Sequence, residues 1–366
     1  MDLTELFQSA ALIIIGTVGL AIFGIVFGLF YKGIDRKLSA HMQGRIGPPL
    51  VQPFRDVRKL FTKENIVPEN AISWIFNLAP IIGLAATITI LLYLPIGGFN
   101  PLLDGSIFFG GSALALGDLI LILYLLIIPS LALVIGGFSS GSPYAIVGAQ
   151  REMATMIAYE FPLAIIIIAL ATRLIQIPAT EIQIQNVFAI STIASTPVWN
   201  VVGPFGFVGL LILLFVLVIV TPAELSKIPF DAPEAETELA GGLLAEYSGR
   251  NLAMFYLADG VKTVVMASII VALFFPYNLS GLFNMAGTYP GYAIDIIFYL
   301  IKVFLVILFS VTLIRVAIAR LKIDQIVYTY WIPLTLLGLI GLILIMWDYS
   351  TIQSFDLPRI ASLFGF

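Results

Sequence analysis

The sequence predicts an all-α polytopic membrane protein of about eight transmembrane helices, with one amphipathic helix beside the membrane. Of its 366 residues, 60% are hydrophobic and only 11% are charged, whereas about 25% of the residues in an average soluble domain are charged. Its apolar stretches are long enough to cross a hydrocarbon core about 30 Å thick. We therefore expect a single membrane domain that covers residues 1–366.

Eight stretches have the length and hydropathy of membrane spans. They are residues 9–30, 76–94, 113–136, 153–172, 203–221, 252–275, 292–316 and 328–347. The chain then divides into a first span (1–30), a basic loop (31–75), spans 2–5 (76–221), an acidic loop (222–251) and spans 6–8 with a tail (252–366). Asp2 and Glu5 stand where a signal peptide needs cations, so we expect the first span to be retained.

The distribution of Lys and Arg predicts the orientation of the chain. Of the eighteen, only Arg173 and Arg359 lie in segments on one side, while Lys262 and Lys302 lie inside spans 6 and 7. All the others lie in or next to segments on the opposite side. Because segments rich in Lys and Arg stay in the cytoplasm, we predict a multi-pass protein of the cytoplasmic membrane with both termini outside.

The basic loop contains QPFRDVRKLF, a stretch with helical periodicity. Four large apolar residues fall on one helical face and three cations fall off it: Phe54, Val57, Leu60 and Phe61, against Arg55, Arg58 and Lys59. This pattern predicts an amphipathic helix in the membrane interface, and an ordinary basic loop is the alternative. The pattern of residues 178–200 leaves open whether they form a loop or a surface helix.

The composition excludes several kinds of redox or metal site on this chain. It has no cysteine and a single histidine, His41. Cysteine-ligated iron–sulfur clusters, c-type haem, structural zinc, disulfides and bis-histidine haem are therefore excluded. If electrons are involved, they travel on another chain. The net charge of −4 does not indicate nucleic acid as a partner.

Several ionisable residues lie inside or at the ends of predicted spans, where each costs about 2.5–3.5 kcal/mol on insertion scales. They include Glu160, Glu224, Asp259, Lys262, Asp295 and Lys302. Asp259 and Lys262 are three residues apart, so they share a helical face and are able to pair; Asp295 and Lys302 also share a face. The series predicts a hydrated proton or ion path that reaches the two lysines near the middle of the membrane. Isolated structural pairs are the alternative.

The acidic loop contains the segment IPFDAPEAETELAGGLLAEYSG, residues 228–249. Its five carboxylates have no cation among them: Asp231, Glu234, Glu236, Glu238 and Glu246. The prolines and the Gly241–Gly242 pair favour a folded, docked loop, with a solvated acidic loop as the alternative. We expect the basic segment 31–63 on the same side to compensate this negative charge.

Three motifs carry a resemblance to a known family. The acidic segment, with Glu224 before it and NLAMFYLADG after it, resembles the signature loop of the H-type membrane subunit of respiratory complex I. That family includes the membrane subunits of energy-converting nickel–iron hydrogenases and related archaeal sulfur reductases. IDRKLSAHMQGRIGPPLVQPFRDVRKLFTKENIVP and AYEFPLA resemble two further signatures in the expected order. No such motif occurs in the last hundred residues.

The resemblance implies roles for particular residues. Six match the carboxylates of the family's ion channel: Glu160, Glu224, Glu234, Glu236, Glu238 and Asp259. Asp231 and Glu246 match loop positions near the cavity beneath the last iron–sulfur cluster. The basic segment matches the interface with the peripheral arm, through Arg36, Lys37, Arg45, Arg55, Arg58 and Lys59. Lys262 and Lys302 are the intramembrane lysines of the predicted path.

The resemblance also implies a function: membrane anchor and proton- or sodium-translocating subunit of a ferredoxin-linked respiratory complex. The chain would carry no cofactor, and iron–sulfur clusters, with a nickel–iron centre in the hydrogenase branch, would lie on partner subunits. The implied partners are hydrogenase-like and iron–sulfur subunits on the cytoplasmic face, other membrane subunits including antiporter-like ones, and lipid.

Two departures from the quinone-reducing members favour the hydrogenase and sulfur-reductase branch. The segment GPPLVQP is short, and GAQREMATMIAYE carries charge before its Tyr-Glu pair. An H-type subunit that binds a quinone or phenazine in its cavity is the alternative. A stand-alone secondary transporter is a further alternative, although no inverted repeat is evident.

Overall fold

The computed structural model describes residues 3–97, 118–175 and 188–355, apart from 282, 284, 286 and 287. Within these ranges the chain is helical. The helices are α1 (Leu3–Met42), α2 (Gln52–Thr62), α3 (Ser73–Tyr93), α4 (Leu119–Ser139), α5 (Pro143–Ile175), α6 (Ile190–Ser195), α7 (Val198–Val201), α8 (Pro204–Glu224), α9 (Glu236–Leu239), α10 (Gly249–Phe274), α11 (Tyr289–Ile307), α12 (Leu313–Ala317), α13 (Ile323–Thr329) and α14 (Thr335–Phe355).

Eight helical stretches of the described residues are long and apolar enough to span a membrane. Two of them contain a π-helical segment, Leu308–Thr312 between α11 and α12 and Tyr330–Leu334 between α13 and α14. The eight-span prediction and the all-α fold class are thus confirmed. Arg359 and residues 178–187 lie outside the described residues, and α6 and α7 occupy part of the segment whose structure the sequence left open.

Two helices extend well beyond the predicted spans. α1 continues to Met42, so Lys32, Arg36 and Lys37 lie on the helix and not in a loop. α5 begins at Pro143, ten residues before the predicted start at 153. A span predicted from hydropathy stops at the first charged residues. The helix itself continues where those residues form ion pairs. Lys32 and Arg36 do so, in ion pairs with Asp259 and Asp56.

Four connections meet on one face of the molecule, which we call the acidic-loop face: 43–72, 140–142, 225–248 and 318–322. Hydrogen bonds tie them together: Ile72 N–H to the Ser139 carbonyl (2.9 Å) and Leu321 N–H to the Pro229 carbonyl (3.0 Å). The Ile66 N–H also donates to Ser248 Oγ (3.0 Å). Because the acidic segment is bound to its neighbours in this way, it is a folded loop, as predicted.

Helix α10 is the most enclosed of the spans. It packs between α1 and α3, and its backbone meets that of α1 where Gly28 faces Gly260. A Cβ atom added at Gly28 would lie 2.6 Å from the Gly260 carbonyl carbon, so only glycine fits there. Small residues permit such close helix crossings in membrane proteins. The crossing lies next to Asp259 and places Lys32, one turn further along α1, beside that carboxylate.

Helix α2 also forms where the sequence predicts a helix. Phe54, Val57 and Leu60 are half-buried, and the three cations of this segment are exposed. Phe61, predicted on the apolar face, is 48% exposed. Pro53 is buried at the first turn, where proline is well tolerated.

Candidate functional site

Two adjoining cavities open beneath the acidic-loop face. One of about 360 Å³ lies between α1, α11 and the acidic loop. The other, of about 420 Å³, reaches from the loop to Glu224 and Lys262. Their shared lining is strongly charged and consists of Lys32, Arg36, Ser226, Lys227, Glu234, Glu236 and Arg315. The cavities therefore form a polar recess that extends inward between apolar helices.

A triad of charges lies at the entrance to the second cavity. Asp259 Oδ2 contacts Lys32 Nζ at 2.6 Å and Lys227 Nζ at 2.7 Å. Lys32 Nζ also lies 3.3 Å from the centroid of the Tyr256 ring, a distance at which a cation–π contact is favourable. The triad joins α1, α10 and the chain that leaves α8.

A second cluster lies deeper, where α4, α8 and α10 meet. Lys262 Nζ contacts Glu224 Oε1 at 2.8 Å and donates to Ser130 Oγ at 2.8 Å. The Ser130 and Tyr159 hydroxyls are 3.3 Å apart, and Tyr159 adjoins the Glu224 carboxylate. Glu224 is 2% and Lys262 6% exposed. The pair is thus withdrawn from solvent, where an ion pair is retained only with close geometry and further hydrogen bonds.

These contacts correct one prediction. Asp259 and Lys262 do not pair with each other, although they are one turn apart on α10. Each is paired with residues of other helices, Asp259 with Lys32 and Lys227 and Lys262 with Glu224. A short inter-helix contact between oppositely charged groups outweighs the weak attraction of a neighbouring pair on one helix, which is about 0.2–0.5 kcal/mol.

Asp295 and Lys302 lie seven residues apart on α11, and the hydrogen bonds of both are with the chain that follows α10. Asp295 accepts hydrogen bonds from the Leu279 and Ser280 amides and from the Ser280 hydroxyl. Lys302 Nζ donates to the carbonyls of Phe275 and Tyr277, just beyond the end of α10. Twelve residues of α10 lie between Lys262 and that end, about 18 Å along the helix. A cation at this position satisfies helix-terminal carbonyls, and Lys302 is not next to Lys262.

Two carboxylates of the acidic loop have ion-pair partners outside the predicted basic segment. Glu238 pairs with Arg151 at 2.6 Å, and Asp231 accepts a hydrogen bond from Arg320 Nε at 2.9 Å. Arg151 lies on α5 and Arg320 in the 318–322 connection, so neither belongs to the predicted basic segment 31–63. Glu238 is exposed, and the hydrogen bond from Arg151, together with the charge of that guanidinium, holds its pKa below the usual range.

Glu234, a carboxylate of the acidic loop, lines both cavities and is half-buried. Burial raises its pKa from 4.5 to about 7. The charges of Lys227 and Lys32 oppose this shift, and those of Asp259 and Asp231 reinforce it. A carboxyl group with a pKa of about 7 is partly protonated at neutral pH.

A pH dependence of stability follows from this shift. The pKa of Glu234 is higher in the folded protein than in the unfolded chain, so protonation of this side chain favours the folded state. This contribution to stability is fully present below the pKa of the unfolded chain, about 4.5. The contribution is lost as the pH rises through about 7. Glu234→Gln retains a neutral group, so we expect its Tm to exceed that of the wild type increasingly as the pH rises from about 5 to about 8.

Thermal unfolding of detergent-purified protein across this pH range measures the effect. Glu238→Gln is the matched control, because the Glu238 pKa is lowered and its contribution is instead lost as the pH falls. A Tm difference between wild type and Glu234→Gln that stays constant with pH would contradict the assignment.

The other predicted channel residues differ in position. Glu236 is exposed and lines both cavities. Glu160 is half-buried on α5, with Glu224 and Lys262 as its charged neighbours. Among the described residues, Glu160 Oε1 has no hydrogen-bond partner. Glu246 is half-buried in the loop and lines neither cavity.

The predicted arm-interface cations divide into two groups. Five of them are exposed on the acidic-loop face: Lys37, Arg45, Arg55, Arg58 and Lys59. Arg36 is different, since it pairs with Asp56 at 3.0 Å and lines both cavities.

Sequence reasoning missed several polar residues of this region. Glu152 is 1% exposed on α5, and Ser130 is 1% exposed at the centre of the deep cluster. Asp35 pairs with Arg315 at 2.9 Å beside the first cavity. For Ser130, the signal in the sequence is the one serine of the predicted span 113–136, directly after Pro129.

No group of three or more His, Cys, Asp or Glu side chains able to hold a metal ion occurs in the described ranges.

The fold and the site together define a multi-pass membrane protein whose buried charges adjoin a polar recess on one face. A family model described as NADH dehydrogenase matches residues 15–346. The chain belongs to this family, and the resemblance drawn from the three sequence motifs is confirmed.

Similar proteins include the H-type subunits of two kinds of complex. The chain is 32% identical to that of the F(420)H(2) dehydrogenase of Methanosarcina mazei over 342 residues, 88% of this chain and 91% of that protein. It is 31% identical to that of the NADH-quinone oxidoreductase of Anaplasma phagocytophilum over 335 residues, 87% of this chain and 91% of the relative.

A solved structure is also similar. A chain of the membrane-bound sulfane sulfur reductase, an archaeal respiratory membrane complex, superimposes with a TM-score of 0.75 and 28% sequence identity. The match covers 91% of this chain and 99% of that one.

Proposed function

We propose that the chain is the membrane anchor and ion-translocating subunit of a ferredoxin-linked respiratory complex. The single observation that carries the proposal is the Glu224–Lys262 pair, which is buried and yet adjoins a charged recess open to the acidic-loop face. Ionisable residues enclosed within spans cost energy and mark ion pathways. The relatives are subunits of a dehydrogenase and an oxidoreductase, and the similar structure is an archaeal respiratory membrane complex; both support the same function.

The acidic-loop face is cytoplasmic in this proposal, because the great majority of the cations lie on that side. The five exposed cations of the interface would bind acidic surfaces of a peripheral hydrogenase-like or iron–sulfur subunit. Next to them, Ile46 is fully exposed and Val51 54% exposed, which suits a protein interface with an apolar centre. Clusters and any nickel–iron centre would lie on those partners, and antiporter-like subunits would share the membrane.

In this proposal, ions enter the recess at Glu234 and Glu236, pass Asp259 and reach Glu224 and Glu160. Redox events in the arm would shift the acidic loop and thereby change the charges that surround the Glu224–Lys262 pair. The chain's own residues bind and release the ion, and electron transfer takes place in the partners.

The test measures ions moved per electron pair in membrane vesicles that contain the assembled complex. In the complexes that assemble, Glu224→Gln and Glu160→Gln should retain electron transfer and lose most of the coupled ion movement, because an amide cannot accept and release a proton or balance a cation. Glu224→Gln also removes one partner of a buried pair, so its transport is measured per assembled complex. Glu69→Gln removes an exposed carboxylate and is the control. Normal coupling in both assembled variants would exclude the channel assignment.

A carrier-binding cavity is the second candidate function. It is favoured by the NADH-quinone oxidoreductase relatives. The predominantly charged lining of the 360 Å³ cavity suits water and ions better than an apolar carrier, since such ligands occupy mostly apolar pockets. Assays with ferredoxin as donor and protons, polysulfide or quinone as acceptor separate the two candidates.

A further inference from the structure

The triad of Asp259, Lys32 and Lys227 and the buried Glu224–Lys262 pair are separate clusters, with no ion pair between them among the described residues. Asp259, Lys32 and Lys227 line the recess near its entrance, whereas Glu224 and Lys262 lie deeper. An ion path inward needs a group between the recess and the deep pair. Glu152 on α5 has this position, since its charged neighbours are Glu234, which lines the recess, and Glu224 and Lys262 of the deep pair.

The environment of Glu152 is unusual for a carboxylate with a merely structural role. It is 1% exposed, and no cation of the described residues lies within ion-pair distance of it. Its side-chain hydrogen bonds are two long ones from Ser226 Oγ, at 3.4 Å to each carboxylate oxygen. A buried carboxylate without a cation is destabilising, so a neutral glutamine would serve stability better.

Ser226 supplies a second, independent observation. It follows α8 with a φ of +47°, in the left-handed region where glycine is strongly preferred. Its N–H donates to the Ala223 carbonyl at 2.9 Å, and that of Lys227 to the Pro222 carbonyl at 2.8 Å, which closes the end of the helix. The Ser226 side chain lines both cavities. The strained backbone directs its hydroxyl toward Glu152.

We propose that Ser226 and Glu152 form a proton relay between the recess at Glu234 and the buried Glu224–Lys262 pair. This inference rests on the proposed function and assigns the proton as the ion in this segment. A serine hydroxyl both accepts and donates hydrogen bonds. It therefore accepts a proton that originates from the Glu234 carboxyl and releases its own to the Glu152 carboxylate. The neutral Glu152 then gives that proton to Glu224, and no net charge is left on Ser226.

Two substitutions test the relay in vesicles that contain the assembled complex. Glu152→Gln keeps the size and the capacity to accept a hydrogen bond but cannot be protonated. Ser226→Gly removes the hydroxyl and relieves the backbone. We expect both variants to assemble and to transfer electrons, and to lose most of the protons moved per electron pair. Glu152→Asp should recover part of the transport, since it restores a carboxylate.

Ala240→Gly is the matched control for Ser226→Gly, since Ala240 also has a positive φ, of +51°, and lacks a hydroxyl. We expect it to gain stability without any change in transport. A Ser226→Gly variant that gains stability and loses transport would show that the strain at Ser226 is maintained for the hydroxyl. A Ser226→Gly variant that transports normally would overturn the relay.

Further measurements separate this inference from the proposed function. Normal transport by Glu152→Gln, with loss in Glu224→Gln, overturns the relay and leaves the proposed function intact. Normal transport by Glu152→Gln, Glu224→Gln and Glu160→Gln overturns the proposed function as well. Proton movement by the wild type in sodium-free medium is also required, and transport that occurs only with sodium would exclude a relay through a hydroxyl.

Discussion

Lys262→Met is expected to destabilise the protein severely and to abolish coupled ion movement. The substitution leaves the Glu224 carboxylate, 2% exposed, without the ammonium that contacts it at 2.8 Å. Removing one partner of a buried ion pair costs about 3–5 kcal/mol. The Ser130 hydroxyl also loses its donor, so the cost extends to the junction of α4, α8 and α10.

The double variant Lys262→Met/Glu224→Gln distinguishes stability from function. With both charges removed, no uncompensated charge remains, and replacement of a buried pair by neutral groups is often close to neutral in stability. We therefore expect the double variant to recover most of the lost Tm while ion movement stays absent. Lys63→Met, at an exposed position, is the control, and a double variant less stable than Lys262→Met would refute the pairing.

Asp259→Asn should have the second largest effect. Lys32 and Lys227 both contact Asp259 Oδ2, at 2.6 and 2.7 Å. Asparagine leaves two ammonium groups about 5 Å apart, whose repulsion at an effective dielectric constant of 20 is roughly 3 kcal/mol. Since this triad joins the acidic loop to α1 and α10, the loop should detach from the helices before the rest of the protein unfolds.

Limited proteolysis within 225–248 and Tm measurements at low and high salt check this expectation. Salt should recover part of the stability of Asp259→Asn, because it screens the repulsion of partly exposed charges. Lys32→Met added to Asp259→Asn should also recover stability, since only one ammonium then remains. Asp324→Asn, at an exposed position, serves as control; an unchanged cleavage rate in Asp259→Asn would contradict the role of the triad.

Hydropathy was sufficient to predict the eight spans, but it did not predict the residue at which α1 ends or the residue at which α5 begins. The error at α5 concealed Glu152, because a span that starts at 153 leaves this residue in a loop. In the structure, Glu152 lies nine residues into the helix and is buried. A carboxylate that precedes an apolar stretch is predicted to be exposed unless tertiary contacts are known.

The partners of the charged residues were less predictable than the residues themselves. Spacing along one helix suggested that Asp259 binds Lys262, but the nearest opposite charges come from α1, α8 and the chain after it. Similarly, Lys302 binds the carbonyls that follow α10, which sequence spacing cannot indicate. Inter-helix contacts depend on the relative rotation of helices, and one sequence does not specify that rotation.

The contact between Gly28 and Gly260 has a mechanical consequence. The two backbones touch there. A change in the crossing angle of α1 and α10 would therefore rotate the helices about this contact, which acts as the pivot. Lys32 lies about 6 Å along α1 from the pivot, so a tilt of about 20° would move it by roughly 2 Å. That displacement suffices to break its contact with Asp259. If movement of the acidic loop tilted α1, the Lys32–Asp259 contact at the entrance to the recess would separate. The Gly28–Gly260 contact would remain in place.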